Sequence, residues 1–196
     1  MSYQTIKQEA LHLFSIHGFE GTSLADIANR VGIKKQSIYT HFKGKDDLYI
    51  QVLKDAFIEE IKLEKIYVQE HFEQTLDTFL WQSLQNFINR FHNDDRLKFW
   101  LRNTSIPPQH LHDEVITYLY QYIDQVDELY LERIQHAYNT GEITQDPFVV
   151  GMAFSALVDS IGVELIYGGE TRTKRKLKAA WHIFWLGISH LDNARL

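Results

Sequence analysis

The sequence predicts an all-α protein of about nine helices, in which a three-helix helix-turn-helix head precedes a helical body. Apolar residues recur at helical spacing along most of the chain. Only three prolines and ten glycines interrupt its 196 residues, which leaves room for long helices. A chain of this length forms one or two compact domains. We expect the head to occupy residues 1–48 and the body residues 49–196.

The first two helices of the head each have one apolar face. The first is predicted over residues 3–17 and ends at Gly18, because glycine commonly follows the last turn of a helix. The second can be capped by Thr22 or Ser23 and stops at Gly32. The residues that share the apolar faces are Ile6, Ala10, Leu13 and Phe14 in the first helix, and Leu24, Ile27, Ala28 and Val31 in the second.

A short third helix is predicted over residues 35–42, with Ile38 and Phe42 four positions apart on its apolar side. Its other face is polar and free of acidic residues, and it comprises Lys34, Lys35, Gln36, Ser37, Thr40 and His41. Two helices joined by a tight glycine turn behind a supporting helix form a helix-turn-helix. A short polar helix of this kind can enter the major groove of DNA. A small helical subdomain with a solvated polar face is the alternative.

The charge distribution favours the DNA-binding interpretation. The whole chain carries a net charge of −6, but residues 1–50 carry +1 and the remainder −7. Four cations, Lys34, Lys35, Lys43 and Lys45, fall within twelve residues of one another. A local basic patch matters more for phosphate contact than the total charge. An architectural protein that coats DNA without sequence preference is a weaker alternative, because an acidic body disfavours wrapping by DNA.

The run from Gly21 to Leu48 resembles the head of the tetracycline-repressor (TetR) family. It reads GTSLADIANRVGI followed by KKQSIYTHFKGKDDL, and the spacing of its Thr, Ile-Ala, Gly, Tyr, Phe, Lys and Leu residues is highly specific. The resemblance covers about the first quarter of the chain. Lys34 and Gln36 depart from the smaller residues that many relatives carry at these positions, which leaves the operator sequence open.

The resemblance implies a sequence-specific transcriptional regulator, and most often a repressor. Such a protein is an all-helical homodimer that binds a palindromic operator in double-stranded DNA and is released by a small-molecule effector. Carried over by position, the residues that face base edges are Lys35, Gln36 and Ser37. The residues that contact phosphates are Thr22, Tyr39, His41 and Lys45, with Lys45 at the start of the fourth helix, where the helix dipole also favours anions.

The body is predicted to supply the dimer interface and the effector pocket. A long helix from Lys45 to about residue 70 is followed by helices near 73–92, 95–103, 110–138, 147–168 and 172–192. The last two carry stripes of mostly small residues, Gly151, Ser155, Val158 and Gly162, then Ala180, Phe184, Gly187 and Leu191. These stripes form either the interface of a dimer or contacts inside one subunit. The aromatic candidates for lining a pocket are Trp81, Trp100, Tyr118 and Tyr122, although core packing is the favoured explanation for any single one of them.

Several other classes of protein are disfavoured. The chain has no cysteine, which excludes disulfides, thiolate zinc sites and a cysteine nucleophile and fits a cytoplasmic protein. We expect no metal site, since His110 and His112 lie two apart and do not share a helix face. No motif of an enzyme or of a cofactor site is present, and no signal peptide is visible. The apolar stretch 148–167 contains two carboxylates, which favours a buried helix of a soluble protein over a membrane span.

Overall fold

The computed structural model describes residues 3–189. Over that range it contains nine α-helices, one turn of 3-10 helix at Gln109–Leu111 and no β-strand, which confirms the predicted all-α fold. The helices are α1 (Tyr3–His17), α2 (Leu24–Val31), α3 (Lys35–Ile38), α4 (Lys45–His71), α5 (Leu76–Asn93), α6 (Asp95–Ser105), α7 (His112–Asn139), α8 (Pro147–Tyr167) and α9 (Gly169–Ser189).

The helix α3 is shorter than the sequence predicts. After it the chain continues in tight turns, in which the Tyr39 N–H donates to the Gln36 carbonyl at 3.2 Å and the His41 N–H donates to the Ile38 carbonyl at 2.9 Å. Such hydrogen bonds between residues three apart are those of a 3-10 turn. Tyr39 and His41 therefore extend the surface of α3 without belonging to the helix.

The apolar faces predicted for the head form its core. Every residue predicted on the inner faces of α1 and α2 is buried, and so are Ile38 and Phe42 behind α3. From α4, Leu48, Tyr49 and Val52 are also buried. Removal of this apolar surface from water is the main force that holds three short helices together.

The chain divides into two compact units, and this division differs from the boundary expected after residue 48. The first unit contains the residues up to Ile61 together with Arg90–Tyr122. The second contains Lys62–Asn89 together with the described residues from Ile123 onward. The segment 90–122 joins the first unit because α6 packs along α1. The division into a DNA-binding head and a ligand-binding body is a functional one, and it stays a prediction.

The second unit has a buried polar link between two turns. Arg133 of α7 is 1% exposed and donates to Glu142 Oε1 at 2.9 Å and to the Gln74 carbonyl. Glu142 Oε2 accepts a hydrogen bond of 2.7 Å from the Leu76 N–H at the start of α5. The carboxylate of Glu142 thus ties the turn after α7 to the N-terminus of α5, where negative charge suits the helix dipole.

The helix α8 is less buried than the sequence predicts. It is long and apolar enough to cross a membrane by length and composition, and 39% of its most apolar stretch is buried in the single chain. One of its two carboxylates, Glu164, is buried and paired with Arg172 at 2.6 Å and Lys176 at 3.0 Å on α9. The other, Asp159, lies on the exposed side of the helix.

Candidate DNA-binding surface

Residues 34–41, here called the recognition segment, form a continuous polar surface on the first unit. Within this segment only Ile38 is buried, and Ile33 just before it is half-buried. The exposed residues of the segment are Lys34, Lys35, Gln36, Ser37, Tyr39, Thr40 and His41. They offer ammonium, amide and hydroxyl donors with no carboxylate among them to repel phosphate. The structure therefore brings seven of the nine predicted DNA-binding residues onto one surface.

The turn that leads into the recognition segment is fixed by local hydrogen bonds at both ends of α2. Ser23 Oγ accepts from the Asp26 N–H at 3.2 Å and Asp26 Oδ2 accepts from the Ser23 N–H at 2.9 Å, which is a capping box. Hydrogen bonds from the Ser23 hydroxyl and N–H also hold the pKa of the Asp26 carboxyl below its usual value. At the other end Gly32 has a φ of +75°, a conformation that glycine adopts without strain.

Tyr3 packs against the end of the recognition segment, a role that sequence reasoning missed. Its ring stacks on Phe42 with 5.0 Å between centroids and meets His41 edge-on at 6.2 Å. Its hydroxyl donates to Gln51 of α4, and the Lys7 ammonium lies 4.6 Å from its ring centroid. A signal for this contact existed, since position 3 precedes the apolar positions 6 and 10 at helical spacing.

Lys45 and Thr22 both stabilise the turn between α1 and α2. The Lys45 ammonium donates to the Phe19 carbonyl at 2.9 Å and to the Thr22 carbonyl at 3.2 Å, and it lies 3.9 Å from the centroid of the Phe19 ring. Because an ammonium has three donors, one remains for another acceptor. The Thr22 side chain is 2% exposed and its hydroxyl donates to the Gly18 carbonyl at 2.9 Å. A phosphate contact by Thr22 would need this hydrogen bond to break.

The first helix is supported from behind by α6. Arg102 Nη1 donates to the Ser15 carbonyl at 3.0 Å, and His12 Nδ1 lies 2.6 Å from Asp95 Oδ2. The hydrogen bond with His12 is the main reason that the pKa of Asp95 lies below its usual value. The orientation of the helix-turn-helix within the first unit is thus fixed partly by residues more than eighty positions away in the sequence.

Comparison with known proteins agrees with this geometry. Residues 6–52 match the model of the bacterial regulatory proteins of the tetR family. The chain is 32% identical over 128 residues to IcaR of Staphylococcus epidermidis, the negative transcriptional regulator of the biofilm operon icaADBC. The head of this chain, residues 6–52, belongs to the TetR family of bacterial regulatory proteins.

The likeness to the curated TetR-family relatives is strongest in the head. IcaR of Staphylococcus aureus strain Newman is 48% identical over 52 residues. The alignments cover 58% of this chain and 66% of the S. epidermidis protein, and 26% of this chain and 28% of the S. aureus protein. The chain therefore spans just under two thirds of the first relative and just over a quarter of the second. The fold as a whole resembles that of the regulator FadR from Bacillus subtilis, with a TM-score of 0.69, 15% identity and coverage of 93% of this chain and 97% of FadR.

Three of the four aromatic residues predicted to bind a ligand lie together. In the first unit, the ring centroid of Trp100 lies 5.0 Å from that of Tyr122 and 6.2 Å from that of Phe57. The ring centroid of Phe57 lies 6.1 Å from that of Tyr118. We call Phe57, Trp100, Tyr118 and Tyr122 the aromatic group. Trp100 is fully buried, whereas Tyr118 and Tyr122 are partly exposed. The fourth residue, Trp81, belongs to the second unit and contacts Trp181 of α9 at 5.2 Å.

A cleft of about 370 Å³ lies elsewhere in the first unit. It is bounded by α1, α4 and the side chain of Arg96, and its walls include the ion pair between Lys7 and Asp55. None of the four predicted ligand-binding residues lines it. Its charged side chains of both signs distinguish it from the apolar pockets that usually hold drug-sized ligands.

The residues predicted to form the dimer interface are at least partly packed inside the single chain. Gly162 is buried, and a side chain at Gly151 would meet Ile134 and Leu131 of α7 at 3.9 Å. Phe184 lies 6.0 Å from Phe154 of α8. The half-buried residues of the two stripes are Gly151, Ser155, Val158, Ala180, Phe184 and Gly187, and Leu191 lies outside the described residues. The contribution of these residues to a dimer stays a prediction, and packing inside one subunit accounts for several of them.

His110 and His112, the two histidines weighed as metal ligands, each contact a single carboxylate. His110 Nε2 lies 3.2 Å from Asp46 Oδ1, and His112 Nδ1 lies 3.0 Å from Asp113 Oδ1. Within residues 3–189, no three His, Cys, Asp or Glu side chains lie close enough together to hold a metal ion.

Proposed function

We propose that this protein is a sequence-specific transcriptional repressor that binds double-stranded DNA through the recognition segment. The observation that carries the proposal is the exposed, acid-free surface of residues 34–41, held on a buried core by Ile38 and Phe42. A short helix that presents such donors to solvent matches the geometry of major-groove readout. The negative regulation attributed to the IcaR relatives supports repression rather than activation.

Within this surface we assign two kinds of contact. Lys35, Gln36 and Ser37 lie on α3 itself, and we assign them to base edges, where amide and ammonium donors discriminate between base pairs. Tyr39 and His41 lie on the turns after α3, and we assign them to phosphates. The Lys45 donor that is not used by the turn carbonyls is available to a further phosphate. We assign Thr22 to support of the turn.

We further propose that the protein acts as a homodimer through α8 and α9. A palindromic operator needs two recognition segments related by a two-fold axis. In the single chain, large apolar residues on these helices are exposed to water, namely Phe148, Val149, Met152, Val163, Tyr167, Ile183 and Leu186. Exposed apolar surface of this extent is typical of an interaction site. These exposed residues lie on faces of α8 and α9 that adjoin the stripes predicted from sequence. The interface we propose is therefore centred on the exposed faces and not on the predicted stripes.

The effector that we propose is a small, partly apolar molecule bound near the aromatic group. Tyr and Trp combine an apolar ring with a polar tip, which suits a ligand site. FadR, which shares the fold, has been solved in complex with stearoyl-CoA, and this supports an acyl-chain compound as the first effector to test. The helix α4 is continuous from Lys45, beside the recognition segment, to His71. A ligand that shifts α4 would change the orientation of the recognition segment and lower the affinity for DNA.

This function places the protein in the cytoplasm, where the chromosome is accessible, and it requires no enzymatic activity. The test is a comparison of variants on a panel of duplexes by fluorescence anisotropy. Gln36→Ala or Ser37→Ala should change the preference at particular base pairs by about 1–3 kcal/mol. Tyr39→Phe should weaken binding to every duplex alike. Gln69→Ala, an exposed glutamine on α4, is the matched control. If all of these variants bind every duplex as the parent does, the assignment is wrong.

A further inference from the structure

The exposed face of α8 is apolar except for one carboxylate. The exposed residues that recur along this face are Val149, Met152, Ala153, Ala156, Asp159, Val163 and Tyr167, and we call them the α8 stripe. All residues of α8 are described, and Asp159 is the one exposed charge among them, because Glu164 is buried and paired with α9. A second subunit that covers this face therefore has to cover Asp159.

Within residues 3–189, no cation forms an ion pair with Asp159. Its charged neighbour is Asp127 of α7, to which the Ser155 hydroxyl is hydrogen-bonded. Partial removal from water, and then the charge of Asp127, raise the pKa of Asp159, while burial and the charge of Asp124 raise that of Asp127. In the isolated chain, the surroundings of Asp159 thus disfavour its ionised form.

The exposed face of α9 carries the complementary charges. Its residues recur at positions i, i+3, i+4, i+7, i+8 and i+11, and they are Arg175, Lys178, Ala179, His182, Ile183 and Leu186, here called the α9 stripe. Among the cations of α9, Arg172 and Lys176 pair with Glu164, and Lys174 pairs with Glu170. Arg175 and Lys178 have no ion-pair partner within the described residues, and both lie on the α9 stripe.

We propose that Asp159 determines the specificity of the interface between two copies of this chain by pairing with Arg175 or Lys178 of the partner subunit. The inference rests on the proposed dimer and names the contact that selects the partner. A carboxylate enclosed by an apolar interface is unfavourable unless a cation pairs with it. A second copy supplies apolar side chains and two unpaired cations on a single stripe. Two-fold symmetry makes the pair occur twice.

This arrangement favours self-association over association with related proteins. A homologue that offers the same apolar face without a cation would leave Asp159 enclosed and unpaired. Specificity then comes from the unfavourable alternative as much as from the favourable pair.

The test uses two variants with opposite charge reversals. Asp159→Lys places like charges opposite one another in its own homodimer, and so does the double variant Arg175→Glu/Lys178→Glu. Each variant alone should show a dimer dissociation constant raised at least tenfold in sedimentation equilibrium. An equimolar mixture should restore dimers, because in the heterodimer both contacts join opposite charges. Circular dichroism of each variant checks that it is folded.

The matched controls are Asp113→Lys, which reverses a fully exposed carboxylate of α7, and Lys174→Glu, which reverses a cation of α9 outside the stripe. Both should dimerise as the parent does. Two results would overturn the Asp159 contact but not the proposed dimer. One is a dimer dissociation constant that Asp159→Lys leaves unchanged, and the other is a mixture of the two variants that stays monomeric. A parent that is monomeric at every concentration would overturn the proposed dimer as well. Binding of the parent to anionic phospholipid vesicles that is lost in the α9 double variant would assign the stripe to a membrane surface instead.

Discussion

The ring of Tyr3 stacks on the ring of Phe42, with 5.0 Å between their centroids and 11° between their planes. Phe42 is buried directly behind the recognition segment, and His41 beside it meets Tyr3 edge-on. The first turn of α1 therefore supports the end of the segment that we assign to DNA phosphates.

Removal of the Tyr3 ring should weaken DNA binding, although Tyr3 is not among the residues that we assign to contacts with bases. Tyr3→Ala loses a stacked aromatic pair worth about 0.5–1.5 kcal/mol beyond its burial, and we expect the affinity for every duplex to fall about tenfold. Tyr3→Phe loses only the hydrogen bond to Gln51 and should keep most of the affinity. Anisotropy titrations at one salt concentration measure both. Tyr138→Ala, at an exposed position of α7, is the control, and equal affinity of Tyr3→Ala and the parent would show that the stack does not position His41.

Lys45 should affect both stability and DNA binding. Lys45→Gln removes charge-assisted hydrogen bonds to two turn carbonyls, and we expect the free energy of unfolding to fall by about 1.5 kcal/mol. If the remaining donor reaches a phosphate, the variant should also depend less on salt. The slope of the logarithm of DNA affinity against the logarithm of salt concentration should become shallower by about one unit. Urea unfolding and a salt titration of DNA binding give the two values. Lys174→Gln is the control, and unchanged stability of Lys45→Gln would refute its contact with the turn.

The hydrogen bond between His12 and Asp95 should make part of the stability depend on pH. Because the hydrogen bond with His12 lowers the folded-state pKa of Asp95, its ionised form stabilises the fold above the unfolded value of about 3.9. That contribution is lost as the pH falls through the lower, folded-state pKa. Asp95→Asn should therefore be less stable than the parent at neutral pH, by less than about 1 kcal/mol, since the pair is partly exposed.

The difference between Asp95→Asn and the parent should shrink as the pH falls below about 4. Urea unfolding at several pH values measures it, with Asp113→Asn as the exposed control. A difference that stays constant down to the acid limit of the folded state would mean that the Asp95 charge does not stabilise the link between α1 and α6.

Effector binding and operator binding should oppose each other by the same factor. A coupling of about 1–3 kcal/mol lowers DNA affinity roughly 5–150-fold, and saturating operator must then weaken effector binding equally. Stearoyl-CoA is the first probe. Its binding is monitored by the change in tryptophan fluorescence, and the part of that change that is lost in a Trp100→Phe variant is assigned to Trp100. A compound that binds near the aromatic group with the same affinity in the presence and absence of operator would rule out release by this route.

The features that repeat along one helix could be predicted from the sequence, whereas contacts between distant helices could not. Leu24, Ile27 and Ala28 are buried because their spacing places them on one face, and the polar face of α3 followed from the same spacing. The bonds from Lys45 to carbonyls of a turn leave no periodic signal. Periodicity also does not tell which apolar side of a helix faces its own chain. For that reason the stripe that starts at Gly151 was expected at a dimer interface, although a side chain there would meet α7.

Selection of bound duplexes from a random pool tests sequence-specific DNA binding by the recognition segment. We expect enrichment of one palindromic sequence whose half-sites lie about one helical turn, 10–10.5 base pairs, or a multiple of it apart. The Gln36→Ala variant should select a sequence that differs at the same position of both half-sites. Recovery of no preferred sequence, or equal affinity for the selected duplex and a scrambled one at the same salt concentration, would contradict sequence-specific binding through residues 34–41.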